Sequence, residues 1–191
     1  LEALISFFEK MVSDSGMSFI VVQHLSPDYK SMLKQLLGRH TDMEVLTIEN
    51  GMDVEPNQVY IQPPQSNLNL FNGRLLLDDC SEFEGLHLPI DYFFRSLAED
   101  RQEQAIAVVL SGTGSDGTCG IPEVKKAGGM IIAQAPEDAK FDSMPASAMA
   151  TGMVDLSADR IEHVLDEEII RTLEGLFPGV HPKELPESPH A

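Results

Sequence analysis

Residues 105–117 read A-I-A-V-V-L-S-G-T-G-S-D-G, and this segment is the strongest indication of the fold in the sequence. The apolar run at 105–110 is typical of a central parallel strand that is buried on both faces. A helix is predicted near 118–127, directly after the glycine-rich turn. A strand, a tight turn and a helix in succession indicate an α/β unit. The turn also carries an acid, Asp116, and is therefore a candidate functional site.

Strand-like and helix-like segments alternate along the rest of the chain. Apolar spacing predicts helices at 1–12, 29–40, 89–99, near 145–151 and at 158–176. Further strands are predicted at 18–23, 45–48, 59–61, 130–134 and 154–156, and Asn72-Gly73 predicts a hairpin between 68–71 and 74–77. We therefore predict a three-layer α/β fold, with a doubly wound, mostly parallel sheet, helices on both faces and the antiparallel hairpin at one edge.

Composition and charge limit the classes of function. The 191 residues carry 13 basic and 31 acidic side chains, a formal net charge of −18, so nucleic acid and anionic membrane surfaces are poor partners. No apolar run approaches the roughly 18–20 residues of a membrane span. With no signal peptide recognisable, a cytoplasmic location is expected. Residues 1–176 are predicted to form one domain, and 177–191 a proline-rich linker or disordered tail.

The cysteines and histidines give no sign of a metal or another cofactor, and none is expected. Cys80 and Cys119 are far apart and are predicted to be reduced thiols, although Cys119 lies beside the glycine-rich turn and is considered as a nucleophile. The histidines show no metal-ligand spacing.

His24 and Asp116 each follow the end of a predicted strand. Carboxyl ends of parallel strands meet at one edge of a sheet, so the two residues are expected to converge there. A histidine with a pKa near 6.5 is suited to general-base chemistry, and a carboxylate can fix its tautomer. The alternative is a turn-capping aspartate and an unrelated loop histidine.

A second function competes for the same turn. Gly112, Gly114 and Gly117 spell G-x-G-x-x-G, the dinucleotide-binding pattern, with acids at Glu137 and Asp138 further on. Asp116 disfavours this interpretation, because its negative charge would repel a bound pyrophosphate. A titration with NAD or NADP separates the two functions.

Seven segments together resemble the catalytic domain of the CheB protein-glutamate methylesterases of bacterial chemotaxis. They occur in the family's order and cover residues 1 to about 160; each is weak alone, and their succession is specific. The segments are V-V-Q-H-L (21–25), V-Y-I-Q-P-P (59–64), L-P-I-D-Y-F-F-R-S-L (88–97), L-S-G-T-G-S-D-G (110–117), A-Q (133–134), M-P (144–145) and V-D (154–155).

The resemblance implies hydrolysis of glutamyl methyl esters on chemoreceptor helices, and deamidation of glutamine there, by a Ser-His-Asp mechanism. It assigns His24 as the base, Asp116 as the acid and the backbone near Thr113 to the oxyanion region, where many relatives have Met. The family's serine belongs to a G-x-S-x-G-G turn directly before the helix that here starts at Leu1. Ser26, Ser111 and Ser115 do not occupy that position and are interpreted as loop or capping serines. The 191 residues by themselves are therefore expected to be inactive.

The resemblance also implies which partners the protein has. The segment at 88–100 looks most like that of fusions with a CheR-type methyltransferase, so a fused methyltransferase domain is an expected partner besides methylated chemoreceptor helices. A third class of function stays open, a non-catalytic module that only binds a receptor. The residues before Leu1 discriminate it from the enzyme.

Overall fold

The computed structural model describes residues 1–23, 30–79 and 87–158. Along the chain the elements are α1 (Glu2–Lys10), β1 (Phe19–Val21), α2 (Lys30–Leu37), β2 (Glu44–Thr47), β3 (Met52–Asp53), β4 (Gln58–Ile61), β5 (Ser66–Phe71), β6 (Arg74–Asp79), α3 (Pro89–Arg101), β7 (Ile106–Val109), α4 (Ile121–Lys126), β8 (Met130–Gln134), α5 (Ser143–Ala150) and β9 (Leu156–Ala158). Short 3-10 turns lie at Gln102–Gln104 and Pro136–Asp138.

The strands form two parallel sheets and one antiparallel sheet. The parallel sheets have the orders β1-β4-β2 and β7-β8-β9, and the antiparallel sheet has the order β3-β6-β5. In the second parallel sheet, Ile132 of β8 lies opposite Val108 of β7 and Leu156 of β9. Within the described residues β1 pairs only with β4 and β7 only with β8, so each has one edge without a strand partner there.

The two parallel sheets lie side by side between two hydrophobic cores. Side chains of β4 and β8 alternate between the cores: Val59 and Ile132 point into the first, Tyr60 and Ile131 into the second. Helices α1 and α2 close the first core, and α3, α4 and α5 close the second. Because each core receives residues from both sheets, the sheets form one layer with helices on both faces. This arrangement confirms the predicted α/β class.

The Asn72-Gly73 hairpin is confirmed. Both turn residues have left-handed φ angles, 49° and 73°, as a two-residue type I′ turn requires. The register pairs Phe71 with Arg74, immediately on either side of the turn. A short strand that the sequence did not reveal, β3, pairs with β6 and completes a three-stranded antiparallel sheet.

Several predicted boundaries are wrong. The strand expected at 154–156 begins at Leu156, because the main chain and carboxylate of Asp155 bind Ile131 before the regular ladder starts. Helix α4 begins at Ile121 rather than near 118, since residues 115–120 form a succession of tight turns. The most enclosed strand is β8, with all residues buried, whereas β7 alternates between buried and half-buried positions.

The predictions for the C-terminal residues are mostly untested by the structure. Ala158, expected to start a helix, belongs to β9, and the rest of that helix and the tail at 177–191 lie outside the described residues. In the part of the chain that is described, no helix has the length and apolar character needed to cross a membrane.

Candidate active site

The carboxylate of Asp116 is buried and held by main-chain amides. Its Oδ2 accepts a hydrogen bond from the N–H of Ile90 at 3.0 Å, and its Oδ1 accepts from the N–H groups of Asp91 at 3.0 Å and Gly117 at 2.8 Å. The N-cap residue of α3 is Leu88, whose side chain has no acceptor. Asp116 therefore caps α3 from a distant part of the chain, and the helix fixes the orientation of its carboxylate.

A second buried acid, Asp91, lies in the first turn of α3. Its Oδ1 accepts a hydrogen bond from the N–H of Gly120 at 2.7 Å, just before α4. Burial raises the pKa of Asp91 above its ordinary value of 3.8; the Gly120 hydrogen bond acts against the rise, and the nearby charge of Asp116 adds to it. The two acids thus connect the glycine-rich turn to the starts of two helices.

The last glycine of the G-x-G-x-x-G pattern serves packing. Gly117 has a φ of +90°, and a Cβ atom there would lie 3.0 Å from Cγ2 of Ile90, so the turn lies directly on α3. Its N–H is taken by Asp116, and that of Gly120 by Asp91. These amides would have to hold a pyrophosphate in a dinucleotide site, so the geometry does not support that function.

The turn at 111–114 is tied to the segment before α5. The N–H of Ser111 donates to Oε1 of the buried Gln134 at 2.8 Å, and the Ser111 hydroxyl accepts from the N–H of Phe141 at 3.0 Å. Gly112 donates to the Phe141 carbonyl and accepts from the Met144 N–H, both at 3.0 Å. A Cβ atom at Gly112 would overlap Sδ of Met144, so a larger residue there would require the Met144 side chain to move.

Thr113 lies at the exposed tip of this turn. Its N–H has no hydrogen-bond acceptor among the described residues, whereas the amides of Gly112 and Gly114 on either side both have one. A main-chain N–H of an exposed residue that has no acceptor in the described part of the chain is available to bind an oxyanion.

The start of α1 lies beside the same region. Oε1 of Glu2 forms an ion pair with Nζ of Lys140 at 3.1 Å, one residue before Phe141. The start of α1 and the turn at 111–114 therefore contact neighbouring residues of one segment, 140–144.

The comparisons with known proteins identify the family. The family model for the CheB methylesterase matches residues 1–166. The chain belongs to the CheB methylesterase family. A solved structure agrees: the catalytic domain of the CheB methylesterase of Thermotoga maritima superposes with a TM-score of 0.78 at 29% identity, covering 85% of this chain and 88% of that one.

Two curated relatives are much longer than the chain. It is 46% identical, over 73% of its length, to an uncharacterised 104.1 kDa protein in the hypE 3′ region of Rhodobacter capsulatus, of which it covers 15%. It is 36% identical, over 75% of its length, to the protein-glutamate methylesterase/protein-glutamine glutaminase of Bacillus licheniformis, of which it covers 41%. The chain thus spans about two fifths or less of these relatives.

Within this CheB fold, the structure places only some of the residues nominated from the sequence. Asp116 and Thr113 lie on one turn, while His24, Ser26 and Cys80 lie outside the described residues. Ser111 accepts a main-chain hydrogen bond, as interpreted from the sequence. Cys119 is an exposed thiol without a disulfide.

Two other histidines have carboxylate or amide partners. Nδ1 of His40 lies 2.7 Å from Oε1 of Glu9, and Nε2 of His87 lies 2.7 Å from Oδ1 of Asn67. Among the residues that the structure describes, no group of three or more His, Cys, Asp or Glu side chains is placed to hold a metal ion.

Sequence reasoning missed two side chains that shape the site, Asp91 and Ser143. An acid in the first turn of a helix suggests a local cap, which was the only available signal for Asp91. Its actual partner is Gly120, 29 residues away along the chain. Ser143 is likewise bound to Gly112 and Gly114, about 30 residues earlier.

Proposed function

We propose that this chain is the catalytic part of a protein-glutamate methylesterase that hydrolyses glutamyl methyl esters, and deamidates glutamines, on chemoreceptor helices. The observation that carries the proposal is Asp116, a buried carboxylate fixed by main-chain amides in the turn that follows β7, within a CheB fold. The curated relative from Bacillus licheniformis is named for both activities.

In this proposal Asp116 is the acid of a Ser-His-Asp triad and His24 is its base. Strand β1 ends at Val21, three residues before His24, and β7 ends at Val109, shortly before the Asp116 turn. Active sites of open α/β sheets lie outside the carboxyl ends of the strands. A carboxylate held by three N–H groups keeps a fixed direction, as an acid that orients a histidine must.

The nucleophile is proposed to be a serine in a segment of the same polypeptide preceding Leu1. Strands β1 and β7 each have one edge without a partner in the described residues, and both contribute side chains to the same two cores. A further strand between them would lead through a turn to the start of α1. That position lies beside the segment at 140–144, which is bound to the Thr113 turn.

The proposed reaction is an acyl transfer in two steps. The serine attacks the ester carbonyl while His24 takes its proton, and the Thr113 N–H binds the oxygen that becomes negative. His24 then returns the proton to the leaving methanol. Water cleaves the acyl-enzyme with the same base, releasing the glutamate side chain.

The partners follow from the same proposal. Methylated chemoreceptor helices are the substrate, and a fused methyltransferase is the proposed neighbouring domain. The relative from Rhodobacter capsulatus has a mass of 104.1 kDa, of which this chain matches only 15%, so it has ample length for further domains. The net charge of −18 disfavours nucleic acid and anionic lipid as partners, and we propose a cytoplasmic location.

Methanol release from a methylated receptor tests the proposal. The full-length protein should release methanol, and His24→Ala or Asp116→Asn should reduce its turnover by at least about 10³-fold. The 191 residues alone should be inactive. Near wild-type release by either variant would contradict the triad, and release by the 191 residues would point to Ser111, Ser115 or Cys119 as nucleophile. Absence of release by the full-length protein would favour a module that only binds the receptor.

A further inference from the structure

The hydroxyl of Ser143 connects both sides of the Thr113 turn. Its Oγ accepts a hydrogen bond from the N–H of Gly114 at 3.1 Å and donates to the carbonyl oxygen of Gly112 at 3.3 Å. Thr113 is the residue between these two glycines. One side chain from the start of α5 therefore spans the peptide units on either side of Thr113.

This connection matters because the turn has little stiffness of its own. Gly114 is exposed and has a φ of +91°, and a Cβ atom there would meet nothing within 4 Å among the described residues. On the other side, Met144 packs against Gly112 and donates its N–H to the Gly112 carbonyl. Ser143 is thus the side chain that holds the Gly114 half of the turn.

We propose that Ser143 is a positioning residue that holds the Thr113 N–H in the direction needed to bind the oxyanion. The inference rests on the proposed function, since it assigns Thr113 a role in ester hydrolysis. An oxyanion donor is effective when it is oriented before the reaction, because reorientation would otherwise add to the barrier. Ser143 itself is not proposed to contact the substrate or the reacting atoms.

A purely structural role is the competing explanation. A serine in the first turn of a helix commonly satisfies nearby main-chain groups, and Ser143 begins α5. In that case its loss would lower the stability of the fold without a specific effect on turnover. The two roles differ in whether kcat changes separately from KM and from the unfolding temperature.

Ser147 is a matched control on the same helix. Its hydroxyl donates to the main-chain carbonyl of Ser143 at 2.7 Å and is not bound to the Thr113 turn. Ser147→Ala therefore removes the same chemical group one helical turn later. Ser143→Thr keeps a hydroxyl in place and tests rescue, and Ser143→Cys offers only a weak hydrogen-bonding group.

The first experiment measures methanol release by the full-length variants. Ser143→Ala should lower kcat by about 10- to 100-fold, somewhat less than the roughly 10²- to 10³-fold typical of removing an oxyanion donor, with KM changed by less than about twofold. The kcat of Ser143→Cys should lie between those of Ser143→Ala and wild type. The kcat values of Ser143→Thr and Ser147→Ala should stay within about threefold of wild type. A kcat unaffected by Ser143→Ala, or lowered as much by Ser147→Ala, would overturn the inference.

The second experiment needs no catalysis and also uses the full-length protein. Amide hydrogen exchange of Gly114, followed by NMR, should become at least about tenfold faster in Ser143→Ala and unchanged in Ser147→Ala, because only the first variant removes its acceptor. Unchanged Gly114 exchange would overturn the connection itself. An inactive wild-type protein with the expected exchange would overturn the proposed function, and the role of Ser143 with it.

Discussion

The carboxylates of Asp91 and Asp116 are linked through the starts of two helices. Asp116 accepts a hydrogen bond from the main-chain N–H of Asp91, and Asp91 accepts one from the N–H of Gly120, four residues after Asp116. Both side chains are about 95% buried, with exposed fractions of 4% and 5%. Each acid fixes the segment that carries the other, so the position of the proposed catalytic acid depends on α3 and α4 together.

Replacing Asp116 by Asn should reduce both activity and stability. Asn keeps one acceptor but replaces the other oxygen by an NH₂ group, which cannot accept from the Ile90 N–H. The free energy of unfolding should fall by about 1 kcal/mol, typical of a lost helix cap. The loss of turnover should be far larger, about 10³-fold or more.

Denaturant unfolding and methanol release measure these two quantities separately. Asp138→Asn changes an exposed side chain of the same region and serves as the control. If the loss of activity in Asp116→Asn were no greater than the unfolded fraction explains, Asp116 would be only a helix cap.

The raised pKa of Asp91 predicts a dependence of stability on pH. The folded state holds this proton more tightly than the unfolded state, so the stability contributed by Asp91 falls as the pH rises above 3.8 and through the raised pKa. The charged groups facing it are Asp116 and Arg95. Asp91→Asn cannot titrate at this position. Its free energy of unfolding minus that of wild type should therefore increase as the pH rises from 3.8 to the raised pKa, and then stay constant.

Urea unfolding of both proteins, from below pH 3.8 to neutrality, measures that difference. A difference that stays flat with pH would show that the pKa of Asp91 is the same in the folded and unfolded states. A difference of the opposite slope would mean that its hydrogen bonds outweigh its burial.

Gly112→Ala should be destabilising because of one specific neighbour. The added methyl group would overlap Sδ of Met144, the flexible end of a half-buried side chain, so the cost should lie at the lower end of the about 1–3 kcal/mol typical of overpacking. Met144→Ala should be less harmful in the Gly112→Ala background than in wild type, since it removes the overlap. A double-mutant cycle by thermal unfolding measures this coupling, and additive effects would exclude the contact as the cause.

Gln134 should contribute to stability through its buried amide. Its Oε1 accepts from Ser111 and its Nε2 donates to the carbonyl of Asp138 at 3.1 Å. Gln134→Met keeps the approximate shape and leaves both main-chain groups without this partner, so we expect a loss of about 1–3 kcal/mol. Gln104→Met, at an exposed position, should stay within about 0.5 kcal/mol in the same measurement.

Regular elements were predictable where the pattern is local. The A-I-A-V-V-L run gave a strand, and Asn72-Gly73 gave a hairpin, because apolar periodicity and left-handed turn residues act over a few positions. Strand β3 was missed because two residues carry no periodicity. The start of β9 was misplaced since the Asp155 hydrogen bond to Ile131 reaches 24 residues back along the chain.

The features of the candidate site also fall into those that were predictable from the sequence and those that were not. Residue type and order were enough to predict the α/β class, the turn that carries Asp116 and the family resemblance that nominates His24 and Thr113. The folded structure was needed to show that Asp116 caps α3, that the glycines accommodate Ile90 and Met144, and that Ser143 spans the Thr113 turn. The physical reason is that a capping hydrogen bond or a close contact depends on which distant segments the fold brings together, and no local pattern encodes that distance.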